Sequence, residues 1–327
     1  MPDVRKVKWG VLSTANIGVN SVIPSMQKSR LCEIVAISSR NIENARTAAQ
    51  KLEISKFFGS YEELLADPEI EAIYNPLPNH LHVPWTIKAL EAGKHVLCEK
   101  PISITAKEAQ SLIDATEKYP QLKVMEAFMY RFHPQWEKVK EIIKSGVIGD
   151  LRCTNSVFTY HNVDPDNVRN QANIGGGGML DIGCYCINLS RFLFEREPIN
   201  IQSFVDYDPV FNTDRLVSGI LEFEGGIANF LCSTQLDHRQ SATIYGTKGY
   251  MELNIPFNSA NEVTRKLKLH KGGETETIFF ETCDQYILQG DAFSKAILDD
   301  TPVPNSLEDS LANMKVIDQI LGKNNNG

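Results

Sequence analysis

Between Val7 and about residue 126 the sequence alternates short apolar runs with helical patterns, and nothing else in it narrows the fold as far. "VKWGVL" leads to a helix, "EIVAIS" to "ENARTAAQKL", "EAIYNP" to "HVPWTIKALEAG", and "HVLCEKP" to "TAKEAQSLIDATEK". Strands that alternate with helices through short connections build a doubly wound parallel sheet, an α/β architecture. Such a sheet holds its ligand at the carboxyl ends of its strands. Thr105 and Glu108 stand at capping-box spacing and start the last of these helices just downstream of Lys100, which leaves Lys100 in a strand-to-helix loop.

After "LKVMEAF" and the helix around "PQWEKVKEIIKSG" the pattern changes to successive strands, among them "DRLVSGILEF", "GIANFLCST" and "SATIYGTKGYMELN". Gly-containing turns between them predict a mainly antiparallel sheet. A length of 327 residues agrees with two domains. The expected division is residues 1–126 for the first and 127–327 for the second. The last helix, "LEDSLANMKVIDQIL", is able to dock on either, and "GKNNNG" is expected to fray.

Bulk composition removes several function classes. A net charge of -8 gives no basic surface for nucleic acid or anionic lipid. No apolar run is long enough to span a bilayer, and "MPDVRKVKWGVL" lacks a signal-peptide segment, so neither membrane nor nucleic acid is an expected partner and a cytoplasmic location is expected. Seven cysteines form no CxxC pair, and their odd number argues against a disulfide framework. Cys184 and Cys186 point to different faces of one helix, so no metal site is expected there.

The first strand-to-helix turn reads "GVLSTANIG". A dinucleotide fingerprint laid over it puts Ser13, Ala15 and Gly18 at its three glycine positions. Serine and alanine satisfy a tight turn and a close backbone approach if their φ stays negative. The amides of Thr14, Ala15, Asn16 and Ile17 then face a pyrophosphate from a helix amino end. The second strand ends "ISSRN", without the acid that binds an NAD ribose. Ser39 and Arg40 offer instead a hydroxyl and a guanidinium suited to a 2'-phosphate, which favours NADP over NAD.

"VLCEKP" ends an apolar strand with two opposite charges and a proline, at the carboxyl end of a central strand. With "GVLSTANIG", "NPLPNHLH", "RFHP", "GGGGMLDIGCY" and "YILQGDAF", it makes the chain resemble the glucose-fructose oxidoreductase and inositol dehydrogenase family (Gfo/Idh/MocA). The resemblance implies an amino-terminal NAD(P)-binding Rossmann domain and a carboxy-terminal α/β domain with an open, mainly antiparallel sheet. It also implies homodimers or homotetramers built on that sheet. Lys100 would lie in the active site, with Glu99 and Lys100 on the nicotinamide ribose. Pro76, Leu77, Asn79 and His82 would line the cofactor groove, and Arg169 and Tyr286 would lie near the nicotinamide half. Many members carry a histidine four residues after the aspartate of the glycine-rich segment, where this chain has Tyr185. That points to the branch with glucose-fructose oxidoreductase, dimeric dihydrodiol dehydrogenase and sugar dehydrogenases.

"GGGGMLDIGCYCIN" then reads as a helix whose edge, with Asp181, Cys184, Tyr185 and Asn188, walls a pocket, its glycines letting the backbone approach a ligand. Oxidising a carbinol needs a base for the hydroxyl proton, and reduction needs the same group as an acid. Tyr185 fits that role. Its free pKa of about 10 is high, but a cation about 4 Å away at an effective dielectric near 20 supplies about 4 kcal/mol, close to three pH units. Lys100 is the expected activator, and Asp181 the acceptor that positions a neighbouring substrate hydroxyl and orients the lysine. His133 and His161 read as structural hydrogen-bonders; Trp136, Phe158 and Tyr160 are candidates for the substrate pocket, but their helix or strand spacing reads as core. The expectation is an NADP(H)-dependent oxidoreductase for a small polyhydroxylated substrate. A dihydrodiol-type dehydrogenase and a non-catalytic dinucleotide sensor are the alternatives.

Overall fold

The computed structural model describes residues 5–258 and 263–322, so most of the "GKNNNG" tail lies outside the described residues. The chain forms two compact units. One runs to Met129 and includes Asp284–Leu311, and the other comprises Tyr130–Cys283 and the chain from Ala312, so the division falls inside the last helix, Leu307–Ile320.

The first unit contains six parallel strands: β1 (Val7–Val11), β2 (Cys32–Ser38), β3 (Lys56–Phe58), β4 (Ala72–Asn75), β5 (His95–Cys98) and β6 (Val124–Glu126). Their order is β3-β2-β1-β4-β5-β6. The winding reverses between β1 and β4, which is where such a sheet opens a crevice at its carboxyl edge. The continuous apolar runs have a direct cause: Val7, Trp9, Val11, Ala72, Ile73 and Tyr74 are all fully buried, because helices cover both faces.

Local signals place the helices. Asn41 caps Ile42–Lys51 by accepting from the Glu43 amide at 2.9 Å. Thr105 caps Ala106–Thr116 through the Glu108 amide at 3.2 Å, while the Glu108 carboxylate accepts from the Ile104 amide at 3.0 Å, one residue further out than a capping box predicts. Strand β3 and the helix Tyr61–Leu65 escape a sequence reading because they are too short to show a period. The helix Gln285–Leu298 packs in this unit against β1 and β2. There Trp9 Nε1 donates to Ser294 Oγ at 3.3 Å, and the Trp9 and Phe293 rings stand 5.6 Å apart.

The second unit holds eight strands: β7 (Leu151–His161), β8 (Asn200–Tyr207), β9 (Asp214–Phe223), β10 (Gly226–Ser233), β11 (Gln235–Gly246), β12 (Gly249–Leu253), β13 (Arg265–Lys271) and β14 (Glu274–Phe280). They follow the order β14-β13-β12-β11-β7-β10-β9-β8, antiparallel except for β7 with β10. One face packs on the helices Pro134–Lys144 and Cys184–Phe194. On the other, directly paired residues form a row across all eight strands: Asn200, Glu222, Ile227, Cys153, Tyr245, Tyr250, His270 and Thr275. The rings of Tyr245 and Tyr250 stack at 5.7 Å, and those of Tyr250 and His270 at 4.2 Å.

All seven cysteines are free, five of them buried. Among the described residues no helix is long and apolar enough to cross a membrane.

Candidate active site

At the end of β1 the Leu12 amide still donates to Tyr74 O, at 3.0 Å, before the chain turns at Ser13. Ser13 has a φ of 69°, so the condition of negative φ fails at this position. The turn reaches the left-handed region without glycine, and the Ser13 hydroxyl offsets part of the cost by accepting from the Ala15 amide at 3.3 Å. Helical structure begins at Asn16, passes through a π-turn at Gly18–Val22 and ends as Ile23–Met26. A Cβ on Gly18 would meet Tyr74 and Pro76 only at 3.6 and 3.7 Å, so that glycine is not forced by packing. Thr14, Asn16 and Ile17 therefore lie at a helix amino end beside the switch point, where orphan amides suit an anion.

Ser39 is buried beyond β2, its amide donating to Phe58 O at 3.2 Å, whereas Arg40 is exposed. Burial raises the pKa of the Tyr61 phenol, and the neighbouring Arg40 guanidinium pulls the other way. A guanidinium and a hydroxyl thus lie just past the carboxyl end of β2, and their chemistry suits a 2'-phosphate.

Beyond β5 the Glu99 amide donates to Asn75 O at 3.0 Å. The Glu99 carboxylate accepts from the Tyr74 hydroxyl at 2.7 Å and from the Lys100 amide at 3.3 Å. Lys100 is half-buried and precedes a cis proline, Pro101. Two buried groups then fasten this loop. The Glu126 carboxylate accepts from the Ile102 amide at 2.8 Å, and the His82 ring stands between Pro101 O at 2.7 Å and Leu77 O at 2.6 Å. Burial pushes His82 down to about 4, against the two carbonyls, which favour a protonated ring. Pro76 and Leu77 are buried beside β4, and Asn79 opens the short turn Asn79–Leu81. Tyr286 is half-buried in the first turn of Gln285–Leu298, its amide donating to Asp284 Oδ1 at 2.9 Å.

In the second unit the glycine-rich segment is crowded by the chain itself rather than left open for a ligand, which corrects the expectation drawn from it. A Cβ on Gly176 would lie 2.7 Å from Arg169 O, and one on Gly177, whose φ is 116°, only 2.0 Å from Asp214 Oδ1. Asp214 Oδ2 accepts from the Met179 amide at 2.5 Å, a carboxylate set at a helical amino end. From that point a π-turn, Met179–Gly183, leads into Cys184–Phe194.

Asp181 Oδ2 accepts from Arg169 Nε at 2.8 Å and from the Tyr160 hydroxyl at 2.6 Å. The Asp181 carboxylate holds the proton on Arg169, against the cost of burial, with Tyr160 and Tyr185 acting in the same sense. Burial first, and Asp181 second, push the Tyr160 phenol up, so it remains a donor. Tyr185 is 4% exposed, with the rings of Tyr130, Phe158 and Phe257 at 5.8, 5.7 and 5.4 Å. Asn188 does not join a pocket wall: it is buried and accepts from the Tyr130 hydroxyl at 2.6 Å. Burial pushes the Cys186 thiol up to about 12, which leaves it a packing residue. His133 caps its helix, Nδ1 accepting from the Gln135 amide at 3.1 Å, and Trp136 is fully buried with Nε1 on Pro256 O at 3.1 Å.

The first unit thus gathers Ser13 to Ile17, Pro76, Leu77, Glu99 and Lys100 at the carboxyl ends of β1, β4 and β5, and the second sets Arg169 and Tyr160 on the Asp181 carboxylate, with Tyr185 electrostatically coupled to Arg169. Sequence reasoning missed Tyr74, Glu126 and Asp214, and it assigned Tyr160 to the core. Glu126 did leave a trace, as a charge ending the apolar run "KVME", the same signature that marked Glu99 and Lys100.

The profile of an oxidoreductase family with an NAD-binding Rossmann fold, GFO_IDH_MocA, matches residues 7–128, and that of the GFO/IDH/MocA C-terminal domain matches residues 136–252. The chain belongs to the Gfo/Idh/MocA oxidoreductase family. It is 45% identical over 320 residues to the uncharacterized oxidoreductase ORF334 of Rhizobium meliloti, covering 96% of each chain. It is 35% identical to D-xylose 1-dehydrogenase (NADP(+)) 2 of Haloferax volcanii, covering 95% of each. The crystal structure of a 3-ketoreductase from Actinomadura kijaniata in complex with NADP and TDP-benzene superimposes with a TM-score of 0.90 at 26% identity, over 97% of this chain and 98% of that one.

Proposed function

We propose that this family member is an NADP(H)-dependent oxidoreductase that interconverts a carbinol and a carbonyl on a sugar or related small polyol. Tyr185 serves as general acid and base, Lys100 assists it, and Asp181 positions a substrate hydroxyl. The observation that carries the reading is the charge balance beside Tyr185. A bare carboxylate would oppose a phenolate, but Asp181 is paired with Arg169 at 2.8 Å and does so far less.

The bound cofactor would supply a site that accepts or releases hydride. The residues that would hold it are the amides of Thr14, Asn16 and Ile17, Ser39 and Arg40 for a 2'-phosphate, and Glu99 with Lys100 for the ribose. Relatives whose names carry NADP support that preference over NAD. Tyr185 passes the hydroxyl proton, and its aromatic surroundings keep water from competing for it. Those same rings favour a second reading, a dehydrogenase for cyclic, largely apolar diols. We further propose that a second copy covers the open face of the β7–β14 sheet.

Parallel assays of NADPH and NADH oxidation with aldoses, ketoses and dicarbonyls, and of NADP reduction with sugars and cyclic diols, identify the cofactor and substrate class. Tyr185→Phe should lower turnover by roughly 10²- to 10⁴-fold while NADPH still binds. Full turnover in that variant removes Tyr185 from the chemistry.

A further inference from the structure

We propose that Tyr160 is a positioning residue of this site: with Arg169 it fixes one oxygen of Asp181, so that the carboxylate stays charged and in one orientation beside Tyr185. The inference rests on the reading of Asp181 as the residue that positions substrate. Tyr160 comes from β7, at the centre of the eight-stranded sheet, and Arg169 from the turn Val168–Asn170, so two separate elements converge on Oδ2. At 2.6 and 2.8 Å both donors are within hydrogen-bond reach of that one oxygen, which has acceptor capacity for two. A carboxylate held this way cannot rotate without breaking both bonds, and a buried phenol left without its acceptor would carry a desolvation cost of its own.

The elements packed on the π-turn bring few other titratable groups towards Asp181. Asp214 of β9 is engaged by the Met179 amide, Cys232 of β10 is held as a thiol by burial, and Cys184 donates to Asp181 O at 3.7 Å. Tyr185 follows in the same helix, as do Cys186, a thiol by burial, and Arg191, paired with Glu197; Arg215 of β9 is paired with Asp206, and His161 ends β7. Arg169 and Tyr160 both favour the charged carboxylate, so removing either donor makes the carboxyl easier to protonate. Acid loss of activity then begins at higher pH.

The test is Tyr160→Phe, which deletes one hydroxyl and keeps the ring. Expected are a roughly tenfold fall in kcat/KM and an upward move of about one pH unit in its acid limb, with NADPH affinity by fluorescence unchanged within about twofold. In an Asp181→Asn background the same change should add no further loss in kcat/KM, because its effect runs through the carboxylate. A purely structural role would leave the acid limb in place and multiply with Asp181→Asn, and that result overturns the proposal. Aspartate-selective carbon NMR reads the Asp181 titration without turnover. An upward midpoint in Tyr160→Phe supports the inference even if the wild type is inactive on every substrate, an outcome that would end the functional reading alone. An unmoved midpoint ends the inference whatever the activity. If Tyr160→Phe does not fold, Arg169→Lys serves, with the same direction expected.

Discussion

Gly177 shows how much of this site is fixed by single residues with no chemistry of their own. Its φ of 116° and the 2.0 Å that would separate a Cβ from Asp214 Oδ1 combine strain with overlap. Gly177→Ala should cost about 3 kcal/mol or more in urea unfolding, whereas Gly93→Ala, with a φ of 75° and open space around it, should cost about 1 kcal/mol. Equal losses in the two variants would show that the Asp214 contact is not the reason for the glycine. Arg40 tests the cofactor edge. Arg40→Ser should lower kcat/KM for NADPH by roughly 10- to 100-fold and leave NADH nearly unchanged, since only a 2'-phosphate loses a charged donor. Lys100, Asp181 and Tyr185 could be proposed from the sequence because residue type, a strand end and helical spacing marked them. Tyr160 and Asp214 were not, because a partner chosen by packing between distant strands leaves no spacing to read.

At the scale of elements, helix caps were visible as short motifs, and each came with a specific bond. His133 is the less obvious one. Its Nδ1 must be unprotonated to accept the Gln135 amide, and burial, helped by Arg265, pushes the ring down to about 4. Unfolded chains bind this proton near pH 6.5, so between about 6.5 and 4 the unfolded state takes up more protons and stability falls as pH falls. The full difference is about 3 kcal/mol, and it is wholly present above pH 6.5. His133→Asn keeps a capping oxygen and removes the titration. Urea stability measured from pH 7 to pH 4.5 should fall less steeply in that variant, and identical slopes would refute the assignment. The elements the sequence hid, β3, the helix Tyr61–Leu65 and the polar pair β13 and β14, are short or alternate weakly, so their pairing is decided by neighbours rather than by their own pattern. The π-turn before Cys184–Phe194 also has no sequence period, yet it carries Asp181.

For the whole molecule, the exposed row on the eight-stranded sheet gives the proposed assembly a direct test. Ile227, Tyr245 and Tyr250 of that row are 38%, 37% and 36% exposed, and Ile220, two residues from Glu222 on the same strand, is 43% exposed, a density of apolar side chains that a lone subunit would leave in water. Sedimentation should find a dimer or tetramer, and Ile227→Asp with Tyr245→Lys should shift it to monomer. A wild-type monomer at micromolar concentration would end that part of the proposal. The doubly wound half was readable because strand and helix alternate in strict succession, but the return of Asp284–Leu311 to it was not, since nothing in "YILQGDAF" says which sheet it covers.

That return has a consequence for how the protein is made. Trp9 donates to Ser294, Ser25 binds Asp284 at 2.6 Å, and Ser29 binds Asp291. A ribosome that has delivered the first 129 residues has not yet synthesised the helix that closes over them, and it builds the entire second sheet before doing so. The nascent first unit must therefore wait, with an indole uncovered, until the helix Gln285–Leu298 has followed the second sheet.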